Sequence, residues 1–338
     1  MRKFLGSAAC LVLLSAGLSG AAGQGTVAPK PLATIDMEVL QIQVILDHLR
    51  FSPGVLDGRK GQSFTAALRG FQESVGLKKT GMADAATLAA LKPYRGLRPV
   101  RSLRLTEESL AGPFVYPMPE DPEEQGKLAA MAYRGPLEKL AEMFHTTPQV
   151  LRALNDPKAL LRPGTVLIFP NALPYSRDYA ADLEAEWRAT LNMLNVDAVQ
   201  PQAAKVVVDR SERVLKVYDK AGKLVAQFSA TMGSRHDPLP IGRWKIQGAD
   251  YNPKFHYNPE LFWDVHDSKA KVQLPPGPNG PVGVVWLDLN KPHYGIHGTP
   301  EPHTVGRAES HGCIRLTNWD AARLAMMIKP GTPAVFQE

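Results

Sequence analysis

Cysteine is nearly absent from this chain, since only two of its 338 residues are cysteine, Cys10 and Cys313. Cys10 lies in an apolar stretch that follows Arg2 and Lys3 and precedes a group of small residues. This order is typical of a cleaved signal peptide, which we predict at residues 1–22. Cleavage would leave Cys313 as a single thiol in an exported protein, where cysteines usually occur in pairs. A lone thiol of this kind is either reactive or buried and inert.

Long apolar runs and basic clusters are also missing. The N-terminal apolar stretch is too short to span ~30 Å of hydrocarbon, and no later segment approaches ~20 uninterrupted apolar residues, so we expect no transmembrane span after signal cleavage. Lys and Arg total 39 against 33 Asp and Glu, but no run of five or six basic residues occurs. This pattern argues against a nucleic-acid partner. It fits a polyanionic or carboxylate-rich surface as partner, or simply solvated surface charge.

Three amphipathic segments predict a small helical domain at residues 36–92. Apolar residues recur at helical spacing in each segment, and Pro- and Gly-containing turns separate the segments. The stretch resembles the peptidoglycan-binding three-helix domain, with a generic helical bundle as the alternative. The matching positions are Asp57-Gly58, Phe71-Gln72 and Gly76-Leu77.

The middle of the chain is predicted to hold a linker, a second module and a joining helix. Six prolines and little periodicity predict a linker at residues 93–126, which would let the helical domain move independently. Residues 127–171 predict an opening strand near 131–133, two short helices and a closing strand at 165–169. This unit resembles a LysM repeat, a glycan-binding module, with a structural spacer as the alternative. A charged amphipathic helix is predicted at 177–195.

From residue 204 onward the apolar period changes to two, which predicts short strands as far as Ile296. A final helix is predicted near Trp319, where Thr317 and Asp320 have capping-box spacing. We therefore expect an antiparallel β domain with one late helix. The fold class of the chain is then multidomain α+β, with a helical domain, a βααβ module and a β-rich C-terminal domain.

His297, His303, His311 and Cys313 fall within 17 residues near the C-terminus. Such a group can ligate zinc or can form a cysteine nucleophile with its base. Structural zinc sites commonly use C-x₂₋₄-C or H-x₃₋₅-H pairs, which this spacing fits poorly. An imidazole that accepts the thiol proton raises the fraction of reactive thiolate, and Gly312 leaves room for backbone N–H groups beside a developing oxyanion. We therefore expect a nucleophile and neither a metal nor an organic cofactor.

Two stretches in this region, HGT at 297–299 and SHGCIRL at 310–316, resemble the active-site signature of the L,D-transpeptidases, and the resemblance covers residues 204–337. It implies a β-rich catalytic domain in which Cys313 is the nucleophile, His297 the general base and the Gly298 carbonyl the group that orients this base. It also implies the following roles: His311 and Gly312 shape the oxyanion pocket with Cys313, while Ser310 and Arg315 complete the motif and contribute to substrate binding. Tyr294 lies in the same half of the domain and either lines the substrate cleft or packs in the core. The loop LPPGPNGPVG, residues 274–283, is similar to one that joins accessory modules to this domain in the Gram-negative branch.

The resemblance also implies the reaction and the partners. The thiolate would attack a peptidoglycan stem tetrapeptide, release D-Ala and pass the acyl group to an amine. The amine would belong to another stem peptide, an outer-membrane lipoprotein lysine or a D-amino acid. Expected partners are stem peptides, glycan strands and carbapenem inhibitors, and the expected location is the periplasm, at the cell wall. Hydrolysis of the same acyl-enzyme and a non-catalytic wall-binding protein are the alternatives.

Overall fold

The computed structural model describes residues 34–259, 271–310 and 312–338. The predicted signal peptide and His311 therefore lie outside the described residues. Within them, no helix is long and apolar enough to cross a membrane.

The helical domain begins with α1, and its elements are α1 (Met37–His48), β1 (Phe51–Ser52), α2 (Gln62–Ser74) and α3 (Ala85–Leu91). Asp36 caps α1, because its carboxylate accepts the N–H groups of the first turn at 3.0 and 3.1 Å. The fully buried Gln72 closes the turn between α2 and α3. Its amide donates to the hydroxyls of Thr80 and Thr87 and accepts the Gly81 N–H. The Phe71-Gln72 pair of the sequence thus fixes how the last two helices meet.

The range in which a linker was predicted contains a strand. The elements of this part are β2 (Val100–Arg104), α4 (Glu107–Leu110), α5 (Pro122–Gly126), α6 (Pro136–Met143), α7 (Pro148–Leu154) and β3 (Val166–Pro170). β2 pairs antiparallel with β3 and packs Leu103 and Leu105 into the same apolar cluster as Phe144 and Phe169. The prolines flank this strand and do not interrupt it, so it keeps its ladder of hydrogen bonds.

Two further predictions differ from the structure in the second module. The strand that pairs with β3 is β2, whereas Tyr133 makes only an isolated bridge with Phe114. The joining helix, α8, spans Ala185–Met193 and is shorter than the predicted 177–195. The residues before it fold back along the helix, because the Arg177 guanidinium binds the Asn192 side chain at 2.9 Å near the helix C-terminus.

The C-terminal domain is a mixed sheet with one helix packed on it. Its strands are β4 (Lys205–Asp209), β5 (Val214–Tyr218), β6 (Leu224–Ser229), β7 (Thr231–Met232), β8 (Gly242–Tyr251), β9 (Phe255–Tyr257), β10 (Val272–Leu274), β11 (Val285–Leu289), β12 (Gly295–His297), β13 (Ile314–Arg315) and β14 (Pro333–Gln337). In the main sheet the described strands run in the order β1-β6-β5-β4-β14-β8-β11-β12-β13-β7, and β9 pairs with β10 separately.

Most pairs in the main sheet are antiparallel, as expected, but β1–β6, β14–β4 and β12–β13 are parallel. The late helix is α9 (Asn318–Met327), and the Thr317 hydroxyl caps it by accepting the Asp320 N–H at 3.2 Å. Its Trp319 is fully buried in the core of the domain. Both the capping signal and the position of the helix were therefore predicted correctly.

The helical domain is joined directly to the C-terminal sheet. β1 pairs in parallel with β6, with Phe51 opposite Gln227 and Ser52 opposite Phe228. A backbone hydrogen bond of 2.8 Å from the Gln227 N–H to the Arg50 carbonyl extends the pairing. The prediction that this domain moves independently was therefore wrong, because one of its strands completes the edge of the main sheet.

A buried charge cluster ties all three parts of the chain together. Its members are Asp47 of α1, His145 of the second module, and Asp320 and Arg323 of α9. Arg323 donates to both oxygens of Asp47, at 2.7 and 2.9 Å, and to Asp320 at 3.2 Å. The His145 ring lies between two acceptors, with Nδ1 2.9 Å from Asp47 and Nε2 2.8 Å from the Leu194 carbonyl.

The charges in this cluster compensate one another. Burial raises the pKa of Asp47, but the charges of Arg323 and His145 outweigh this effect and hold the pKa well below its usual range. Burial raises the pKa of Asp320 to about 6, although Arg323 acts in the opposite direction. The cluster therefore depends on a single guanidinium shared between two carboxylates of different domains.

The loop at residues 274–283 docks onto the second module. The Met131 N–H donates to the Pro276 carbonyl, and the Asn279 N–H donates to the Met131 carbonyl, each at 2.9 Å. Gly277 has a φ of +147°, and a Cβ there would lie 2.4 Å from the Met131 oxygen, so only glycine allows this approach. This loop joins the second module to the C-terminal domain, the kind of contact that the sequence resemblance implied.

Candidate active site

Cys313 lies one residue before β13, at the end of the sheet where β12 and β13 run side by side. Side chains alternate along a strand, so Cys313 and Arg315 point to one face and Ile314 points to the core on the other. His297 of β12 pairs with Arg315 and shares its face. Strand pairing thus brings the predicted nucleophile, the predicted base and the arginine of the motif to the same face.

The Cys313 thiol is held by backbone groups. Its Sγ donates to the His293 carbonyl at 3.7 Å, and the Gly295 N–H forms a hydrogen bond to the sulfur. His293 has a φ of +66°, a left-handed conformation that is uncommon outside glycine and turns the chain sharply before β12. The side chain of Cys313 is free and part-exposed.

His297 is buried, and its hydrogen bond defines its tautomer. Nδ1 lies 2.7 Å from the Gly298 carbonyl oxygen, which can only accept, so Nδ1 carries the proton and Nε2 keeps its lone pair. The Trp286 ring stacks on the imidazole with 5.5 Å between centroids and 22° between planes. This geometry fixes the ring with the basic nitrogen directed away from Gly298.

Both reacting groups are neutral at rest. Burial and, to a smaller extent, the Arg315 charge lower the pKa of His297 to about 4, although the hydrogen bond to the Gly298 carbonyl acts in the opposite direction. Burial raises the pKa of the Cys313 thiol, against the smaller lowering effects of the Gly295 N–H and Arg315. Near neutral pH the pair is a thiol beside an unprotonated imidazole, and not a preformed thiolate and imidazolium.

Gly312 accepts no side chain in this structure. Its φ is +95°, and a Cβ would lie 2.7 Å from Cε1 of Tyr294. The Tyr294 ring therefore packs against the backbone next to the nucleophile, and the Lys291 ammonium lies 4.6 Å from the ring centroid. Contact of Tyr294 with a substrate stays a prediction.

Ser310 supports the loop from inside. It is buried, its hydroxyl donates to the Cys313 carbonyl at 2.7 Å, and it accepts the Gly233 N–H at 2.7 Å. Both functions of the hydroxyl are used within the protein. This geometry favours a role in positioning Cys313, and contact of Ser310 with a substrate stays a prediction.

Asn318 is a functional residue that the sequence reasoning missed. It is the first residue of α9 and is fully buried, and its Oδ1 accepts the Val284 N–H at 3.3 Å. A Cβ on Gly298 would lie 2.1 Å from this Oδ1, and one on Gly283 would lie 1.9 Å from it. Asn318 therefore holds the segment whose carbonyl orients His297. Only the packing of α9 against two glycines shows this role.

Glu142 of α6, in the second module, contacts Asn318. Its Oε1 accepts from Asn318 Nδ2 at 2.9 Å, and its Oε2 is hydrogen-bonded to the Tyr133 hydroxyl. Burial raises the pKa of Glu142 to about 7. A protonated Glu142 satisfies this geometry, because it can donate to Tyr133, whose hydroxyl in turn lies 2.9 Å from the Met193 sulfur.

Glu142→Gln is expected to stabilise the protein at pH 8 and to change little at pH 5. The pKa of the folded state lies above that of a free glutamate, so the stability that this group contributes is present at low pH and is lost as pH rises through 7. Glutamine keeps the neutral geometry, and the gain is roughly 3–4 kcal/mol, at about 1.4 kcal/mol per pKa unit. Urea unfolding at both pH values measures it. The exposed Glu124→Gln is the matched control, and equal pH profiles for wild type and Glu142→Gln would contradict the protonated state.

The other histidines of the motif region are placed differently. His303 is exposed on a 3-10 turn at Pro302–Thr304. His311 lies outside the described residues, so its part in an oxyanion pocket stays a prediction. In the portion of the chain that the structure describes, no group of three His, Cys, Asp or Glu residues is arranged to hold a metal ion.

Comparison with known proteins agrees with this arrangement. Residues 203–336 match the L,D-transpeptidase catalytic domain, and residues 36–91 match the putative peptidoglycan binding domain. The putative L,D-transpeptidase YkuD of Bacillus licheniformis is 51% identical over 128 residues, which are 38% of this chain and 62% of that protein. The probable L,D-transpeptidase YbiS of Escherichia coli K12 is 28% identical over 137 residues, 39% of this chain and 44% of that protein.

A solved L,D-transpeptidase from Mycobacterium smegmatis aligns with 39% of this chain and 58% of its own, at 21% identity and a TM-score of 0.33. The chain spans less than two thirds of the length of each of these three relatives. Residues 203–336 thus form a domain similar to the L,D-transpeptidase catalytic domain, and it follows a domain similar to the putative peptidoglycan binding domain at residues 36–91.

Proposed function

We propose that the protein is an exported cysteine acyltransferase that acts on peptidoglycan stem tetrapeptides through a thioester on Cys313. The observation that carries this proposal is the His297 imidazole, which is neutral, has its Nδ1 proton bound to Gly298, and shares a face with the lone thiol. A base in this state can take the thiol proton at the moment of attack.

In the first half-reaction, the Cys313 proton moves to Nε2 of His297 as Sγ attacks the carbonyl carbon before the terminal D-Ala. The carbonyl oxygen becomes an oxyanion, which we assign to the backbone N–H groups at Gly312 and Cys313, with His311 beside them. The C–N bond then breaks, the leaving amine takes the proton from His297, and D-Ala departs. The peptide remains attached to Cys313 as a thioester.

In the second half-reaction, an amine attacks the thioester while His297 accepts its proton, and the thiol is restored. The amine of a second stem peptide would give a cross-link, a lipoprotein lysine would give an anchored protein, and a D-amino acid would exchange the terminal residue. Water in place of the amine would make the enzyme a carboxypeptidase. The neutral base can accept a proton from an amine or from water. We propose transfer to an amine as the main reaction, with hydrolysis as the alternative.

The accessory domains support an action at the cell wall, and we place the protein in the periplasm. A groove of about 540 Å³ runs along the helical domain and is lined by polar residues and by the apolar edge of α1 and α3. We assign glycan strands to this groove. Between β2 and β3, the short helices α4 and α5 are followed by the predicted pair α6 and α7. We keep the proposal that the second module is LysM-like, with a structural spacer as the alternative.

The proposal is tested by incubating the purified protein with disaccharide tetrapeptides and reading the products by mass. Loss of one alanine with a new dimer, or with an added D-amino acid when one is supplied, is expected. Loss of alanine with neither product would show hydrolysis. If no product and no mass increase on the protein are found, the alternative of a non-catalytic wall-binding protein is favoured.

A further inference from the structure

A pocket of about 260 Å³ beside the nucleophile is lined by three arginines, Arg210, Arg213 and Arg235. Its floor is the backbone of β7 and of the residues that follow it, from 231 to 234. Gly306, Ala308 and Glu309 complete the wall, so three positive charges face one negative charge. Neither the thiol nor the imidazole lines this pocket, which makes it a second site next to the reacting groups.

The pocket is adjacent to Cys313 through the sheet. β7 pairs antiparallel with β13, with Met232 opposite Ile314. The same register, carried one residue further, places Gly233 of the pocket opposite Cys313, at the ~5 Å spacing of paired strands. The Ser310 hydroxyl joins the two, because it accepts the Gly233 N–H and donates to the Cys313 carbonyl.

The guanidinium groups are available for a ligand. Arg210 pairs with Glu338 at 3.1 Å, but both side chains are exposed, at 45% and 71%, so this pair is easily exchanged for another carboxylate. Arg213 donates one N–H to the Gly306 carbonyl at 3.1 Å, which orients the side chain, and its other guanidinium donors bind no acceptor among the residues that the structure describes. Within the described residues, Arg235 makes no hydrogen bond or ion pair.

The backbone conformation of Arg213 also favours a role for its side chain in ligand binding. Its φ is +54°, a left-handed conformation that glycine or asparagine adopts at lower cost than arginine. A turn between β4 and β5 does not itself require arginine at this position. The side chain instead reaches across to the loop at Gly306, on the pocket wall.

We propose that this pocket binds a carboxylate of the stem peptide while the scissile carbonyl lies at Cys313, an inference that rests on the proposed function. Guanidinium forks match the two oxygens of a carboxylate, and such charge-assisted bonds are about twice as strong as neutral ones. A substrate of this family carries carboxylates along the peptide and at its end.

The helical domain borders the same pocket. A Cβ on Gly306 would lie 3.4 Å from Ser63 Oγ at the start of α2, and one on Gly61 would lie 3.9 Å from Arg307 Nη2. The loop that forms the pocket wall therefore also contacts the domain to which we assign wall binding. A strand held by that domain would present its stem peptides at the arginines.

The test measures tetrapeptide binding to the full-length Cys313→Ala protein, so that no turnover intervenes. Arg210→Ala and Arg235→Ala are introduced singly and together, with the exposed Arg152→Ala on α7 as matched control. Three peptides are compared: one with all carboxylates free, one amidated only at the terminus, and one amidated only at the internal positions. Inorganic phosphate is added as a competitor.

For the free peptide, each arginine variant is expected to raise the Kd roughly tenfold, and Arg152→Ala is expected to leave it unchanged. The peptide that lacks the carboxylate bound by the pocket should bind weakly, and with the same Kd, to the parent protein and to the arginine variants. Whether this is the terminally or the internally amidated peptide shows which carboxylate the pocket binds. Three results would overturn the proposal. They are an unchanged Kd in the arginine variants, an equal loss of affinity for all three peptides, and full displacement of the peptide by phosphate at a concentration below that of the peptide. If peptide binding depends on the arginines but no thioester forms on the wild type, only the proposed reaction is refuted. If the thioester forms equally fast in the arginine variants, only the proposed role of the pocket is refuted.

Discussion

Cys313→Ala is expected to abolish turnover and to prevent acylation by a carbapenem, while the protein stays folded. The thiol is small and part-exposed, so its loss leaves no large cavity. The strained ring of a carbapenem presents a carbonyl to the same nucleophile that attacks the stem peptide. Intact-mass analysis after incubation should show one adduct on the wild type and none on the variant. An adduct or turnover on the folded alanine variant would refute Cys313 as the nucleophile.

His303 provides the matched control for the predicted base, His297. His297→Ala should slow acylation by about 10²–10⁴-fold, because general-base help in proton transfer is typically worth that much. His303→Ala should leave the rate unchanged, since His303 is exposed on a turn. If His311→Ala slows acylation more than His297→Ala does, the base has been assigned to the wrong imidazole.

Arg323→Met is expected to destabilise the whole chain by about 3–5 kcal/mol. Methionine preserves much of the side-chain length, but the carboxylates of Asp47 and Asp320 lose the guanidinium that compensates their burial. These carboxylates belong to α1 and α9, so the helical and catalytic domains should loosen together. Urea unfolding at pH 7, followed by fluorescence and by circular dichroism, measures the loss.

An exposed ion pair offers the control for this change. Arg210→Met removes a partner of Glu338 at 3.1 Å and should cost under about 1 kcal/mol, because both groups remain in water. The double variant Asp47→Asn, Arg323→Met should recover part of the stability, since it removes one of the two uncompensated charges. Equal unfolding free energies for Arg323→Met and Arg210→Met would show that the buried cluster contributes nothing.

The candidate active-site loop was predictable because its signature depends on local residue order. The His-Gly-Cys spacing around Cys313 and the HGT stretch predicted a nucleophile with a base before any fold was known. The Thr317 cap and the strand period of two are likewise local signals, and the structure contains both elements. The protonation states were not predictable, because burial sets them and burial depends on the assembled sheet.

How the domains meet was decided only by tertiary structure. The prolines of residues 93–126 predicted a flexible linker, yet β2 lies between them and the helical domain contributes β1 to the main sheet. Deleting the residues before the catalytic domain is therefore not a neutral change.

By itself, the amino-acid sequence determined most of the helices and strands and the motif that contains Cys313, because these follow from short-range periodicity and neighbouring side chains. The tertiary structure decided that Asn318 and Glu142 support the carbonyl that orients His297, and that Arg323 serves two domains. Asn318 lies 176 residues from Glu142, and Arg323 lies 276 residues from Asp47. Pairings over such distances leave no local pattern, since burial and hydrogen bonding select them only when the domains pack together.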